Sequence, residues 1–184
     1  MSTRFDATRL GKGINLNEWL MLVSTGQGAT SLPGWAKFLS DDPLERLRDS
    51  DLGHIRLPFD PLPLIPPLGN RTLSDWGALP DRGYLARITA SILLAVAADI
   101  AVVLVPRLDD AARHDELLGD PDTLAPLYAA FWGALARHLA GRRIPPEMLA
   151  FELLNEPRFV QTTNGAGWAD PTVANDIWLP VQAG

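Results

Sequence analysis

Four short, almost uninterrupted apolar segments constrain this chain more than any other feature. They are Gly13-Ile14-Asn15-Leu16, His54-Ile55-Arg56-Leu57-Pro58, Ala101-Val102-Val103-Leu104-Val105 and Ala150-Phe151-Glu152-Leu153-Leu154-Asn155. Each is too short for a helix that buries itself, and each ends in polar or turn residues. A strand that is apolar at consecutive positions must be covered on both faces, which is the condition of a parallel sheet flanked by helices.

The intervening stretches supply those helices. Pro43 to Asp49 follows Asp41-Asp42, which offers an N-cap with proline at the first helical position. Asp81 to Ala98 places Leu85, Ile88, Ile92, Leu93 and Val96 at helical spacing, and Leu124 to Ala140 does the same with Leu127, Phe131, Leu135 and Leu139. The resulting βαβαβαβ order predicts an α/β fold with parallel strands and right-handed crossovers. Loops after the strands are long: Glu18 to Asp42 and Asp60 to Pro80 are rich in Gly, Pro, Ser and Trp. Loops before them are short, as at Asp51-Leu52-Gly53. Parallel α/β enzymes keep their chemistry in the loops at the carboxyl ends of strands.

Bulk properties exclude several classes. The 184 residues are 47% apolar and even in composition, as expected of one domain spanning residues 1–184. A formal charge of -6 argues against nucleic acid, which favours a basic face. With no cysteine there is no disulfide or thiolate metal site, and His54, His114 and His138 lack ligand spacing. The longest apolar run, Ile92 to Val105, is interrupted by Asp99 and too short to span a membrane. Met1 to Leu10 shows no secretory h-region; a soluble protein is expected, and the compartment is left open. Gly11-Lys12-Gly13 precedes the first strand instead of following it, so it is no phosphate loop.

Chemistry concentrates at Asn155-Glu156-Pro157. An apolar strand runs into an Asn-Glu pair and proline stops it, fixing a carboxylate where a substrate can reach it. Alone, the tripeptide reads more readily as a solvated loop. Glu152 lies four residues before Glu156 on the same face of the strand, and reads as structural. Trp19, Trp35, Trp76 and Trp168 fall in loops after strands, where indole rings suit sugar faces, whereas Trp132 sits at helical spacing and reads as core.

Taken together, Gly13 to Leu20 (GINLNEWL), Gly53 to Pro58 (GHIRLP), Phe131 to Ala136 (FWGALA) and Phe151 to Pro157 (FELLNEP) resemble, in order, the cellulase-type glycoside hydrolases of family 5. The resemblance implies a partial (β/α)8 barrel, about its first four βα units. It implies retaining hydrolysis of O-glycosidic bonds in a β-glucan-like polysaccharide or oligosaccharide, with no cofactor, no nucleic acid and no membrane partner. Glu156 would match the general acid/base and Asn155 the residue that bonds the sugar 2-hydroxyl. Arg56 would match the support of the nucleophile, or else form a structural ion pair, with Glu152 as a partner. Trp19 and Arg107 would line the site, Arg107 standing where the family commonly has histidine. Members of the family are often secreted.

Strands five to eight and the strand-seven nucleophile have no counterpart in this sequence. The retaining mechanism needs two carboxylates about 5–5.5 Å apart, so this chain is expected to be inactive by itself. An open half-barrel is also expected to self-associate through its unpaired strands. The alternative reading keeps the fold without the chemistry, as a glycan-binding or degenerate half-barrel.

Overall fold

The computed structural model describes residues 5–17, 19–20, 23–25, 29–31, 49, 51–66, 72–107 and 121–155, giving the backbone alone at 23–25, 29–31 and 121–124. Six strands follow in chain order: β1 (Gly13–Asn15), β2 (Val23–Thr25), β3 (Ala29–Ser31), β4 (His54–Phe59), β5 (Ala101–Pro106) and β6 (Leu149–Phe151). Helix α1 spans Leu73–Trp76, α2 Arg82–Ala97 and α3 Pro121–Ala140. Strands β1, β4, β5 and β6 form one sheet in that order, and every pairing in it is parallel. The alternation of apolar strands and helices therefore produced the topology expected of it. The long loop after β1 contributes an antiparallel pair, β2 with β3, which forms a separate small sheet. The expected helix at Pro43 to Asp49 lies outside the described residues, apart from Asp49.

Register sorts the side chains by face. Ile14, Ile55, Val102 and Leu149 share one level and one face; Asn15, Arg56, Val103 and Ala150 share the next level on the opposite face. Burial follows neighbours. In the two central strands Ile55, Leu57, Val102 and Leu104 are all but fully buried. The outer strands differ from the sequence expectation of burial on both faces: Ile14 and Phe151 stay 45% and 39% exposed. Each outer strand has a strand neighbour on one side only among the described residues.

The chain divides into two compact units. The first holds the four-stranded sheet and α2 from Gly83 onward. Helix α2 buries Leu85, Ile88, Ile92 and Ala95, the stripe read from its spacing. It ends in a Schellman arrangement: Asp99 N–H bonds the Val96 carbonyl, Ile100 N–H bonds the Ala95 carbonyl, and Asp99 takes a positive φ of 59°. Near its start, the buried Tyr84 hydroxyl accepts from the Asp60 N–H at 2.9 Å and donates to the Leu20 carbonyl. One phenol thus ties the helix to the segments leaving β1 and β4.

The amino ends of the same strands are held by residues 6–12. The Arg9 guanidinium donates to the Asp99 carbonyl and carboxylate, both at 2.9 Å; the Arg9 carbonyl lies 3.0 Å from His54 Nδ1. Asp6 N–H bonds the Glu147 carbonyl and Gly53 N–H the Lys12 carbonyl. Two glycines allow this closeness. A Cβ on Gly53 would stand 2.3 Å from the Arg9 carbonyl oxygen, and one on Gly13 would enter the His54 ring.

The second unit includes α1 and α3 as far as His138. Tyr128, Phe131 and Trp132 pack with ring centroids 5.5–6.3 Å apart, and Phe131 and Leu135 are fully buried. Trp132 is core, as its spacing predicts. Trp76 is also buried, at 2% exposure, so this loop tryptophan is a core residue of α1 and not a free sugar platform. Burial raises the Tyr128 phenol well above its ordinary pKa.

Two consequences are measurable. Gly53→Ala should cost about 1–2 kcal/mol, the overpacking against Arg9 outweighing the gain from a stiffer unfolded chain. It should appear as a lower urea midpoint with an unchanged slope; an unchanged midpoint would contradict the contact. Tyr84→Phe should cost about 1–3 kcal/mol by stranding a buried N–H and carbonyl. Because the chain has two tyrosines, Tyr128 is then the sole phenol. Its folded pKa is raised, so its contribution to stability is complete below the ordinary value of 10.0 and declines as pH rises above it. Phenolate absorbance should therefore emerge together with unfolding, not as a separate titration near pH 10 in the folded protein.

Candidate functional site

The polar side of the sheet is organised around Arg56. This residue occupies the third position of β4, level with Asn15, the last residue of β1. Its Nε donates to Glu152 Oε2 at 2.7 Å and its Nη2 to Glu152 Oε1 at 2.6 Å, a two-point fork. Nη2 also donates to Asn155 Oδ1 at 2.8 Å, and Nη1 reaches Asn15 Oδ1 at 3.3 Å. Asn15 in turn donates from Nδ2 to Asn17 Oδ1 at 2.7 Å. Arg56 and Glu152 are not on neighbouring strands. β5 lies between them, and small side chains, Val103 and Ala150, stand at the Arg56 level on that face. The Arg56 and Glu152 side chains remain 25% and 36% exposed, so the pair is partly solvated.

A local irregularity brings Asn155 into this cluster. The last strand was expected to run from Ala150 to Asn155, yet regular pairing stops at Phe151. Beyond it, Glu152 N–H still bonds the Leu104 carbonyl, but the Pro106 carbonyl receives the N–H of Asn155. A regular parallel ladder would place residue 154 there. One extra residue is therefore inserted between Glu152 and Asn155, as in a β-bulge, and Leu154 is buried. The insertion gives Asn155 the same facing as Glu152. The expectation that Glu156 shares the Glu152 face falls on a residue outside the described ones.

The structure thus joins Arg56 to Asn155, two of the predicted site residues, and adds Asn15, Asn17 and Glu152. Of the two readings open for Arg56, the ion pair with Glu152 is the one present. Trp19 lies in the turn after β1, its N–H bonded to the Leu16 carbonyl; Arg107 directly follows β5, its N–H bonded to the Phe59 carbonyl. Both are half-buried. Glu156, Trp35, Trp168 and His114 lie outside the described residues. The two asparagines were missed because Gly13 to Leu16 was read for its apolar character alone. The register signal was available: aligning Gly13-Ile14-Asn15 with His54-Ile55-Arg56 places an amide beside the guanidinium.

Among the described residues, no three or more histidine, aspartate or glutamate side chains stand close enough together to hold a metal ion. No described helix is long and apolar enough to cross a membrane. What the cluster can do is hold planar hydrogen-bonding groups in fixed orientation at the side of a rigid sheet. Such an arrangement suits recognition of a polar, uncharged ligand.

No family model matches the sequence, and no curated protein matches it significantly. Solved structures do. A trimodular endoglucanase of glycoside hydrolase family 5, subfamily 4, superposes with a TM-score of 0.67 at 18% identity, covering 94% of this chain and 30% of that one. A hyperthermophilic endo-β-1,4-glucanase in complex with substrate gives 0.61 at 20%, covering 96% and 47%. A family 5 enzyme from Prevotella bryantii B14 gives 0.60 at 18%, covering 100% and 55%. The chain therefore spans between 30% and 55% of the length of these structures. At this level of identity the likeness speaks to architecture: the chain has the fold of part of the (β/α)8 barrel on which family 5 endoglucanases are built.

Proposed function

We propose that this chain forms the part of a retaining β-glucan hydrolase that carries the proton donor and the amide that positions the sugar. The observation that supports this reading most is the hydrogen bond from Arg56 to Asn155. It brings the residue directly before Glu156 onto the polar side of a parallel sheet whose relatives in structure are endoglucanases. One such relative, a mutant of the Prevotella enzyme, has been solved with a xyloglucan tetradecasaccharide.

In this reading Glu156 is the general acid, protonating the departing glycosidic oxygen and then activating water as base. Asn155 bonds a sugar hydroxyl. Arg56, its charge balanced by Glu152, holds Asn155 in place, and Trp19 and Arg107 line the neighbouring strand ends. A retaining mechanism requires a second carboxylate about 5–5.5 Å from the first. Glu152 is a poor candidate, because Arg56 grips both its oxygens with charge-assisted bonds that lower its nucleophilicity and hold it toward the guanidinium. That same neutralised carboxylate favours a second reading, in which the part described here binds glycans and does no chemistry.

Turnover separates the two. The 184-residue chain should release no reducing sugar above background from soluble β-glucan; robust turnover would remove the argument for a missing nucleophile. In a protein that also carries the remaining strands, Glu156→Gln should slow cleavage of substrates with poor leaving groups by about 10²–10⁴-fold. It should spare the first step on an aryl glycoside whose phenol departs unprotonated, and azide should rescue turnover. Equal loss on both substrates without rescue would take Glu156 out of the acid/base role.

A further inference from the structure

We propose that Glu152 is a positioning residue. By gripping Arg56 at two points it fixes which atom of each neighbouring amide faces the ligand, and it makes Asn155 a hydrogen-bond donor. The argument starts from what a guanidinium can do. Arg56 has only N–H donors, so any amide beside it must turn its oxygen inward. Both asparagines do so: Asn155 Oδ1 lies 2.8 Å from Nη2 and Asn15 Oδ1 3.3 Å from Nη1. Asn15 then spends its Nδ2 on Asn17 Oδ1 at 2.7 Å. No partner for Asn155 Nδ2 lies among the described residues, and an amide whose oxygen is held toward Arg56 carries its NH2 on the far side.

Orientation of the guanidinium is the quantity everything else inherits. An arginine side chain has several rotatable bonds and a large rotamer entropy to lose. The two bonds from Nε and Nη2 to one carboxylate remove that freedom, because a fork on a fork fixes the plane as well as the distance. Glu152 also cancels the positive charge of Arg56, which leaves little attraction for a carboxylate or phosphate on a ligand. The ligand group this predicts is a neutral acceptor oxygen, as in a sugar hydroxyl. Only that last step rests on the glycan reading above; the amide orientation does not depend on it.

Side-chain NMR of the chain reads the two parts separately. Glu152→Gln preserves size but replaces one accepting oxygen with an NH2 that opposes the guanidinium. The Arg56 Nε–H, assigned through Arg56→Lys, should exchange with water about tenfold faster or more, as expected on losing a bond to a charged acceptor. The NH2 signals of Asn15 and Asn155 should both move, while the backbone amide pattern stays native. If that variant does not fold, Arg56→Met combined with Glu152→Met removes both charges together and leaves neither stranded. In that double variant both amides should shift toward the positions of mobile, solvated asparagines. Unmoved Asn15 and Asn155 NH2 signals in a natively folded variant of either kind would overturn the proposal. Titration of the wild-type chain with a soluble cello-oligosaccharide supplies the ligand arm. Perturbation of the Asn155 NH2 pair supports the donor role, and binding that leaves it untouched overturns that role. Failure to bind at all would instead sink the glycan reading, with the amide result still decided by the variants.

Discussion

The two-point pair between Arg56 and Glu152 is the interaction on which the polar side of the sheet depends. It joins segments that are not adjacent, bridging β4 to the end of β6 across β5. Its worth lies less in net stability than in geometry. With each side chain partly in water, the Coulombic gain is screened and the desolvation cost is moderate, so the balance is modest. What the pair supplies is a fixed plane. The contacts of Asn15 and Asn155 are made to the same guanidinium, so each is only as well placed as that plane.

The two ends of the sheet are built by different means. At the amino ends, residues 6–12 approach so closely that Gly53 has no room for a side chain, and backbone groups share the contacts with the Arg9 guanidinium. Such contacts are short-ranged and tolerate little substitution. Toward the carboxyl ends, the ties come from side chains: the Tyr84 hydroxyl under the segments after β1 and β4, and the Arg56 cluster beside β6. Side-chain ties can be altered one at a time without moving the strands.

Much of this was legible in the residues. The central strands, the parallel order and helices α2 and α3 follow from runs of apolar residues and their spacing, since burial on two faces leaves no other pattern. Trp132 could be assigned to the core from helical spacing, but Trp76 could not. It falls in a stretch dominated by proline and glycine, and the single turn of helix that buries it is too short to show a period. The β2–β3 pair was hidden for the same reason. The polar cluster was half visible. The resemblance pointed to Arg56 and Asn155, and an ion pair with Glu152 was one of two readings, but register decides such matters and register is a property of the paired strands. Asn15 entered the cluster only through its level beside Arg56.

The extra residue between Glu152 and Asn155 carries an implication for how this segment can change over time. A strand assigns its side chains to two faces by odd and even count, so a one-residue insertion or deletion exchanges the faces for everything downstream. Here the count is already shifted once, between two residues that must share a face to reach the same guanidinium. Losing either Leu153 or Leu154 would restore regular alternation and leave Asn155 two positions after Glu152, still on the same face. The segment can thus shorten by one residue and keep Asn155 on the Arg56 side, whereas losing both leucines would exchange its face.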